Sequence, residues 1–355
     1  MDTFLNTTEF LKEATQARAS DIFIVAGLPL SYKIHGSMHR TGDRLTPDMT
    51  EQIIKDIYEL AGNRNMKPFL KKGDDDFSFA IPSCSRFRVS TYKQRGSLAA
   101  VIRVIAFELP NPTELGIPET VTCMSERTKG LVLVTGPAGS GKSTTLACLV
   151  DAINSTKEDH IITLEDPLEF LHRHKKSIVS QREIATDTDS YLVALRAALR
   201  QSPDVILLGE MRDYETIQTA MTAAETGHLV LSTLHTTSAA QTVERIIDAC
   251  PLEGQNQMRS QFANVIRGVI TQQLIPTANG EGRVIATEVM IANFAISNLI
   301  RENKTIQIPS LLQSGRREGM HTLNDDLVRL VQDDKITRDT ALKVSDDPGS
   351  LEKMI

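Results

Sequence analysis

The 355-residue chain contains no tryptophan, and aromatic residues make up only 5% of it. Its net charge is −6. It therefore offers neither the basic surplus nor the basic–aromatic stripe of a nucleic-acid translocase, and no nucleic-acid partner is expected. Cysteine is sparse. Cys84, Cys123, Cys148 and Cys250 are widely scattered with no Cys-x-x-Cys pair, which argues against a zinc site or a disulfide framework and for free thiols in a reducing compartment. No apolar run approaches the roughly 18 residues of a membrane span. Met1-Asp2-Thr3 opens no basic and then apolar leader. These absences predict a cytoplasmic protein without direct membrane insertion, whose membrane contact goes through a partner. What remains is ordinary globular composition, 41% hydrophobic and 24% charged, at a length that predicts two domains.

Against that background one stretch stands out: Leu131-Val-Leu-Val-Thr-Gly136-Pro137-Ala138-Gly139-Ser140-Gly141-Lys142-Ser143-Thr144. A short apolar strand runs into a glycine-rich turn and then a helix start, with the full phosphate-loop spacing Gly136-x4-Gly141-Lys142-Ser143. Glycines let the backbone wrap an anion, so that consecutive N–H groups and the helix N-terminus face phosphate oxygens. Lys142 has the reach for terminal phosphates, and the Ser143 hydroxyl suits a magnesium ion. Leu146, Leu149 and Val150 give the following helix a buried face. The expected ligands are ATP and Mg2+, with Gly136 to Thr144 as the binding loop.

Ahead of this loop, residues 4–18 have amphipathic helical spacing, with Phe4, Leu5, Phe10, Leu11, Ala14 and Ala17 on one side. Strands are expected at Asp21-Ile-Phe-Ile-Val, Leu30-Ser-Tyr-Lys-Ile, Phe77-Ser-Phe-Ala-Ile, Arg86 to Tyr92 and Ala99 to Ile105. A helix over about 47–61 is started by Thr46-Pro47 and stopped by Gly62-Asn63. Residues 1–108 thus read as a small α+β domain with a largely antiparallel sheet. Three prolines in 109–118 mark a stiff linker and the domain boundary. Beyond it, strands at 131–135, 161–164, 205–208 and 229–233 alternate with helices, the pattern of a parallel sheet with crossovers. Helices are expected at 255–275, 293–302, 308–315 and 321–333, followed by a frayed end.

Hydrolysis needs acids and a positioned water. Ile161-Ile-Thr-Leu-Glu165-Asp166-Pro167 ends an apolar strand in two carboxylates, and Asp204-Val-Ile-Leu-Leu-Gly-Glu210 ends another in one. Strand C-terminal ends share the crevice of the loop in an open α/β sheet, so Glu165 and Glu210 are expected to converge near the γ-phosphate. One would orient or deprotonate the attacking water while the other holds magnesium or its waters. Gly227-His228-Leu-Val-Leu-Ser-Thr-Leu-His235-Thr236-Thr237 flanks a strand with two histidines, placing neutral imidazoles near the phosphates or at a subunit interface.

Four boxes, at 136–144, 161–170, 204–210 and 227–236, together resemble the secretion ATPases of the type II and type IV pilus class, hexameric RecA-like motors. More narrowly, Gly209-Glu-Met-Arg-Asp213, Ala223-Ala-Glu-Thr-Gly-His228 and Ala295-Ile-Ser-Asn-Leu-Ile-Arg-Glu302 resemble the pilus-retraction subgroup. Ala19-Ser-Asp and Ala26-Gly-Leu-Pro are similar to the start of its PAS-like N-terminal domain. The resemblance implies a PAS-like domain over 1–108 and a RecA-like domain over 119–355 with a helical C-terminal part. It also implies an ATPase that powers pilus retraction and twitching motility as a homohexamer under the cytoplasmic membrane. The implied partners are an inner-membrane platform protein and a paralogous ATPase. In that family N-terminal arginines reach the nucleotide within or between subunits, and the matching positions here are Arg88 and Arg103. Ser297 stands where the retraction signature carries Arg, and Phe23 where relatives carry His. The assembly ATPases of the superfamily differ by a longer N-terminal extension and a four-cysteine zinc motif. An accessory retraction ATPase and a nucleotide-binding scaffold without turnover are the other readings.

Overall fold

The computed structural model describes residues 6–34, 37–82, 84–105, 109–280 and 282–355. It forms two compact units, Met1–Glu108 with Glu169–Leu171, and Leu109–Leu168 with His172–Ile355.

In the first unit, α1 (Thr7–Gln16) is followed by β1 (Asp21–Ile24), β2 (Pro29–Ile34) and β3 (Ser37–Arg44). Next come α2 (Pro47–Leu60), α3 (Lys67–Lys72), β4 (Asp74–Ile81), β5 (Ser85–Gln94) and β6 (Ser97–Ile105). The strands make one antiparallel sheet in the order β3-β2-β1-β6-β5-β4. Asn6 starts α1 by accepting from the N–H groups of Thr8 and Glu9, and the Thr46 hydroxyl caps α2 ahead of Pro47. Phe4 and Leu5, assigned to the first helix from their spacing, lie outside the described residues. Ile54, Ile57, Phe69, Phe87 and Ile102 fill the core between helices and sheet. β3 is exposed at all eight positions, so no alternation of burial announces it in the sequence.

The second unit begins with α4 (Glu119–Thr122) and contains β7 (Gly130–Thr135), α5 (Lys142–Thr156), β8 (His160–Glu165) and β9 (Ile178–Glu183). Then follow α6 (Tyr191–Ala198), β10 (Val205–Leu208), α7 (Tyr214–Glu225), β11 (Leu229–Leu234), α8 (Ala239–Asp248) and α9 (Gln255–Val265). β12 (Ile266–Pro276), β13 (Arg283–Ile291), α10 (Phe294–Arg301), α11 (Ile308–Ser314), α12 (Leu323–Gln332), α13 (Arg338–Val344) and α14 (Pro348–Leu351) complete it. The seven-stranded sheet runs β13-β12-β7-β11-β10-β8-β9, parallel except for the β12–β13 pair. The period of two sends Leu131 and Leu133 into one core with α6 to α10, and Val132 and Val134 into another with Leu146, Leu149 and Val150 of α5. The proline-rich segment packs on this unit through Ile117, buried beside Val121 and Met124.

The expected helix over 255–275 is corrected: it stops at Val265, and Ile266–Pro276 is a strand. The run Val269-Ile-Thr is β-branched, and pairing with β7 on one edge and β13 on the other outweighs a weak helical spacing. Nor is the C-terminus frayed, since α14 buries Leu351 against Leu327 and Leu330. Among the described residues no helix is long and apolar enough to cross a membrane.

The fold also half-buries His172 in the second unit, and loss of solvent pushes its imidazole down from 6.5 to about 4, with Asp151 opposing the shift and Lys175 adding to it. Between those values the unfolded chain binds a proton that the folded one refuses, so stability falls as pH drops through this window. At about pH 5 the penalty is about 2 kcal/mol. Denaturant melts at about pH 7.5 and about pH 5 should lose less stability by about that amount in His172→Gln than in the parent. Equal losses in both proteins would refute the assignment.

Candidate active site

β7 lies inside the sheet, in parallel register with β11 on one edge and β12 on the other. The loop leaving it at Gly136 therefore emerges at the edge where β8, β10 and β11 also end. Gly136, Gly139 and Gly141 have φ of 140°, 76° and 87°. At Gly136 the demand for glycine is absolute in space as well as angle. A Cβ there would lie 2.2 Å from the Gln272 carbonyl oxygen and 2.7 Å from Ser140 Oγ. Gly141 ends the loop at the N-cap position of α5. Lys142 Nζ donates to the carbonyl oxygens of Gly136 and Pro137, both at 2.9 Å, which draws its ammonium back over the loop. Ser143 and Thr144 sit half-buried in the first turn of α5. Ser140 Oγ is buried with no hydrogen-bond partner among the described residues. An ammonium, a helix N-terminus and an orphaned hydroxyl suit the loop to a polyanion. Among the described residues no group of three or more His, Cys, Asp or Glu side chains forms a metal cluster. A magnesium ion held here would take the Ser143 hydroxyl and phosphate oxygens rather than an all-protein cage.

Behind the loop stands Gln272 of β12, which sequence reasoning missed. Its amide is buried, donates from Nε2 to the Ser140 carbonyl at 2.7 Å, and accepts at Oε1 from the Thr145 hydroxyl at 2.9 Å. Thr135 and Thr271 share a hydroxyl hydrogen bond at 2.9 Å one residue away. The available signal was the polar pair Gln272-Gln273 inside an apolar run.

The two acids leave the same edge by different supports. Leu164 and Leu208 are paired in register, so Glu165, the last residue of β8, and Glu210, two residues past β10, lie at neighbouring strand ends. Glu165 Oε1 accepts from Thr163 Oγ1 at 2.6 Å and from Gln181 Nε2 at 3.4 Å. Glu210 accepts from Arg212 Nε at 2.8 Å, and His235 Nε2 lies 3.4 Å from its other oxygen. The Thr233 hydroxyl donates to the Gly209 carbonyl at 2.5 Å, tying β11 to this turn. A Cβ on Gly209 would meet the Tyr191 hydroxyl at 2.8 Å, so the phenol, also unforeseen, presses into the same corner. Burial first, then the charges of Asp166, Glu210 and Glu165, push that phenol well above its ordinary range.

The two histidines part company. His235 stands at the C-terminal end of β11 beside Glu210, whereas His228 precedes that strand and its carbonyl accepts from the Gly130 N–H at 3.0 Å. Six strand residues separate them, about 20 Å at the usual rise. His228 thus lies at the other edge of the sheet, away from the phosphate loop, where Nδ1 faces the Ala223 carbonyl at 2.9 Å. Arg88 and Arg103 belong to the first unit and face each other in register on β5 and β6. Arg103 is exposed and its Nε is 3.2 Å from an Asp21 oxygen.

A glycine loop and paired acids on the C-terminal edge of a mostly parallel sheet define a phosphate-loop ATPase. The chain belongs to the type II/IV secretion system protein family, whose model matches residues 3–343. It is 46% identical over 337 residues to the type IV pilus retraction ATPase PilT of Pseudomonas aeruginosa, covering 95% of this chain and 97% of that protein. To the type IV pilus ATPase PilU of the same organism it is 36% identical over 348 residues, covering 98% and 90%. The crystal structure of the pilus retraction motor PilT with bound ADP superposes at a TM-score of 0.89 and 46% identity, covering 98% of this chain and 99% of that one.

Gly136→Ala forces a Cβ into the Gln272 carbonyl, a backbone atom that cannot swing away. The expected cost is about 2–4 kcal/mol, read as a fall in the denaturant midpoint. A variant as stable as the parent would mean that the loop leaves β7 by another route.

Proposed function

We propose that this protein is the ATP-hydrolysing motor of type IV pilus retraction, the activity behind twitching motility. The observation that carries this reading is the phosphate loop standing at one sheet edge with Glu165, Glu210 and His235. Near-complete coverage at higher identity to the retraction ATPase than to PilU supports retraction over the accessory role. The helix carrying the retraction signature is present as α10, with Ile296 and Ile300 buried beneath it. Ser297, at the signature's departure, donates to the Ala263 carbonyl at 3.1 Å, so the substitution is absorbed in packing against α9.

In this reading the triphosphate lies along Gly136–Thr144. Lys142 leaves the two loop carbonyls for the terminal phosphates, exchanging neutral acceptors for charged ones. Ser143, with Glu210 acting through water, would hold a magnesium ion, which would supply positive charge to offset that of the transferring group. Glu165 and Glu210 divide the tasks of orienting the attacking water and holding the metal's waters, and His235 reports on Glu210. Arg88 and Arg103 supply guanidinium forks to the γ-phosphate charge, within one subunit or between subunits of a homohexamer. A cytoplasmic ring of this kind works through an inner-membrane platform protein and, where present, a paralogous ATPase. Loss of the γ-phosphate removes what holds the loop, the acids and the forks together, and that release is the mechanical event.

Steady-state turnover with magnesium on the purified protein, beside Lys142→Ala and Glu210→Ala, tests the motor. Turnover should fall by about a hundredfold or more in both variants. Glu210→Ala should still bind ADP, whereas Lys142→Ala should not. No hydrolysis by the intact protein, even when assembled as a hexamer, would sink the motor reading and favour a nucleotide-binding scaffold.

A further inference from the structure

We propose that Gln272 is a positioning residue of the phosphate loop: its one buried amide sets the direction of the Ser140–Gly141 peptide and fixes the start of α5. This rests on the nucleotide-binding reading above. The geometry is specific. Nε2 donates to the Ser140 carbonyl at 2.7 Å, and Oε1 accepts from Thr145 Oγ1 at 2.9 Å. Ser140 and Thr145 bracket Gly141–Thr144, the segment that carries Lys142 and Ser143. A single amide therefore pins both ends of the part of the loop that meets phosphate and metal.

The first bond has a directional consequence. In a trans peptide the carbonyl and the following N–H point in opposite directions. Holding the Ser140 carbonyl toward β12 turns the Gly141 N–H away from β12, to the concave side where phosphate oxygens would lie. The peptide is otherwise easily turned, because Gly141 has no side chain to resist rotation. Gly141 also packs tightly here, since a Cβ on it would lie 3.2 Å from Gln272 Nε2. The second bond holds Thr145 in the first turns of α5, so the ammonium of Lys142 and the hydroxyl of Ser143 start from a fixed helix end. At the loop's other end the Gln272 backbone carbonyl abuts Gly136. Side chain and main chain of one residue thus touch the loop at its beginning, middle and end.

A glutamine that merely satisfied a buried carbonyl would affect folding alone. A positioning role reaches the ligand, and it acts on ground state and transition state alike. Gln272→Met keeps the bulk while removing both bonds. In the full-length protein, Kd for Mg-ADP by calorimetry and KM for ATP should each rise about tenfold, with kcat within about twofold. Thr145→Val removes only the second bond and should raise Kd about threefold. Because both act through one amide, the double variant should lose less than the product of the two single losses. A folded Gln272→Met that melts lower but binds Mg-ADP with the parent's Kd overturns the proposal. If Gln272→Met does not fold, Thr145→Val decides: a raised Kd supports the role and the parent's Kd overturns it. Failure of the intact protein to bind Mg-ADP would overturn the nucleotide-binding reading and this inference together. Unchanged affinity in the variants of a binding protein overturns this inference only.

Discussion

Everything at the active edge depends on how closely the backbone of Gly136 passes that of Gln272. With 2.2 Å between a hypothetical Cβ and a carbonyl oxygen, no side chain fits, and β7 must hand over to the loop at this residue. The approach is possible because β7 and β12 are parallel neighbours, their register carrying a shift between Ile266 and Gly268. Thr135 and Thr271 lock the last paired positions by their hydroxyls. Gly268, at that register shift, packs instead against Met124, whose side chain a Cβ there would meet at 3.0 Å. The loop is thus not a flexible strap hung on a scaffold but the end of a pairing that starts deep in the core.

This explains which parts were legible in the sequence. The phosphate loop is a local object: strand, turn and helix start follow one another, and its glycines serve angles set by immediate neighbours. The apolar strands β7, β8, β10 and β11 are buried on both faces, so they appear as continuous runs with little ambiguity. β12 carries the same kind of run, but it follows α9 without a turn signal, and one of its two partners, β7, is far off in the chain, the paired Thr135 and Thr271 lying 136 residues apart. Gln272 was hidden for that reason. Nothing near it in sequence says that Ser140 and Thr145 are its partners. Tyr191 was hidden likewise, because its meaning depends on the bare Cα of Gly209 just past the end of β10. The histidine box shows the converse. Spacing placed two imidazoles on one strand and could suggest a shared site, yet six residues of extended chain put them at opposite edges.

The two acids illustrate how one sheet edge can give like groups unlike roles. Glu165 is held from within the scaffold, by the hydroxyl of its own strand's Thr163 and by Gln181 of β9, whose Oε1 accepts from the His172 N–H at 2.8 Å. Glu210 is held from the surface side: Arg212 and His235 are both more than half exposed, while Glu210 itself is 20% exposed. A group tied to buried, hydrogen-bonded neighbours keeps one orientation, and a group tied to exposed charged ones follows them. Glu165 is thus held by hydrogen bonds from the scaffold, and Glu210 by charged groups at the surface. Glu210's freedom to turn is set by what its exposed partners Arg212 and His235 meet.

The same contrast extends beyond the sheet edge. Glu288 of β13 is buried and accepts from the Ala239 N–H at 2.7 Å at the start of α8, the helix that follows His235 and Thr236. Burial raises its proton affinity, and the backbone donors of Ala239 and Leu323 oppose that. β13 is paired with β12, with Thr271 opposite Glu288 and Gln272 opposite Thr287. The strand that braces the phosphate loop is thus flanked by the one that caps α8, and Thr287 in turn donates to Asp326 of α12. Contiguity of this kind is not coupling, which requires two alternative arrangements that each site can bias. It does constrain where such arrangements can lie. β12 and β13 share nine paired positions and bury both faces, so they are poor places to move. Lys142 and the exposed partners of Glu210 are tied less tightly than this hairpin, whose pairing and burial make it the frame of the site.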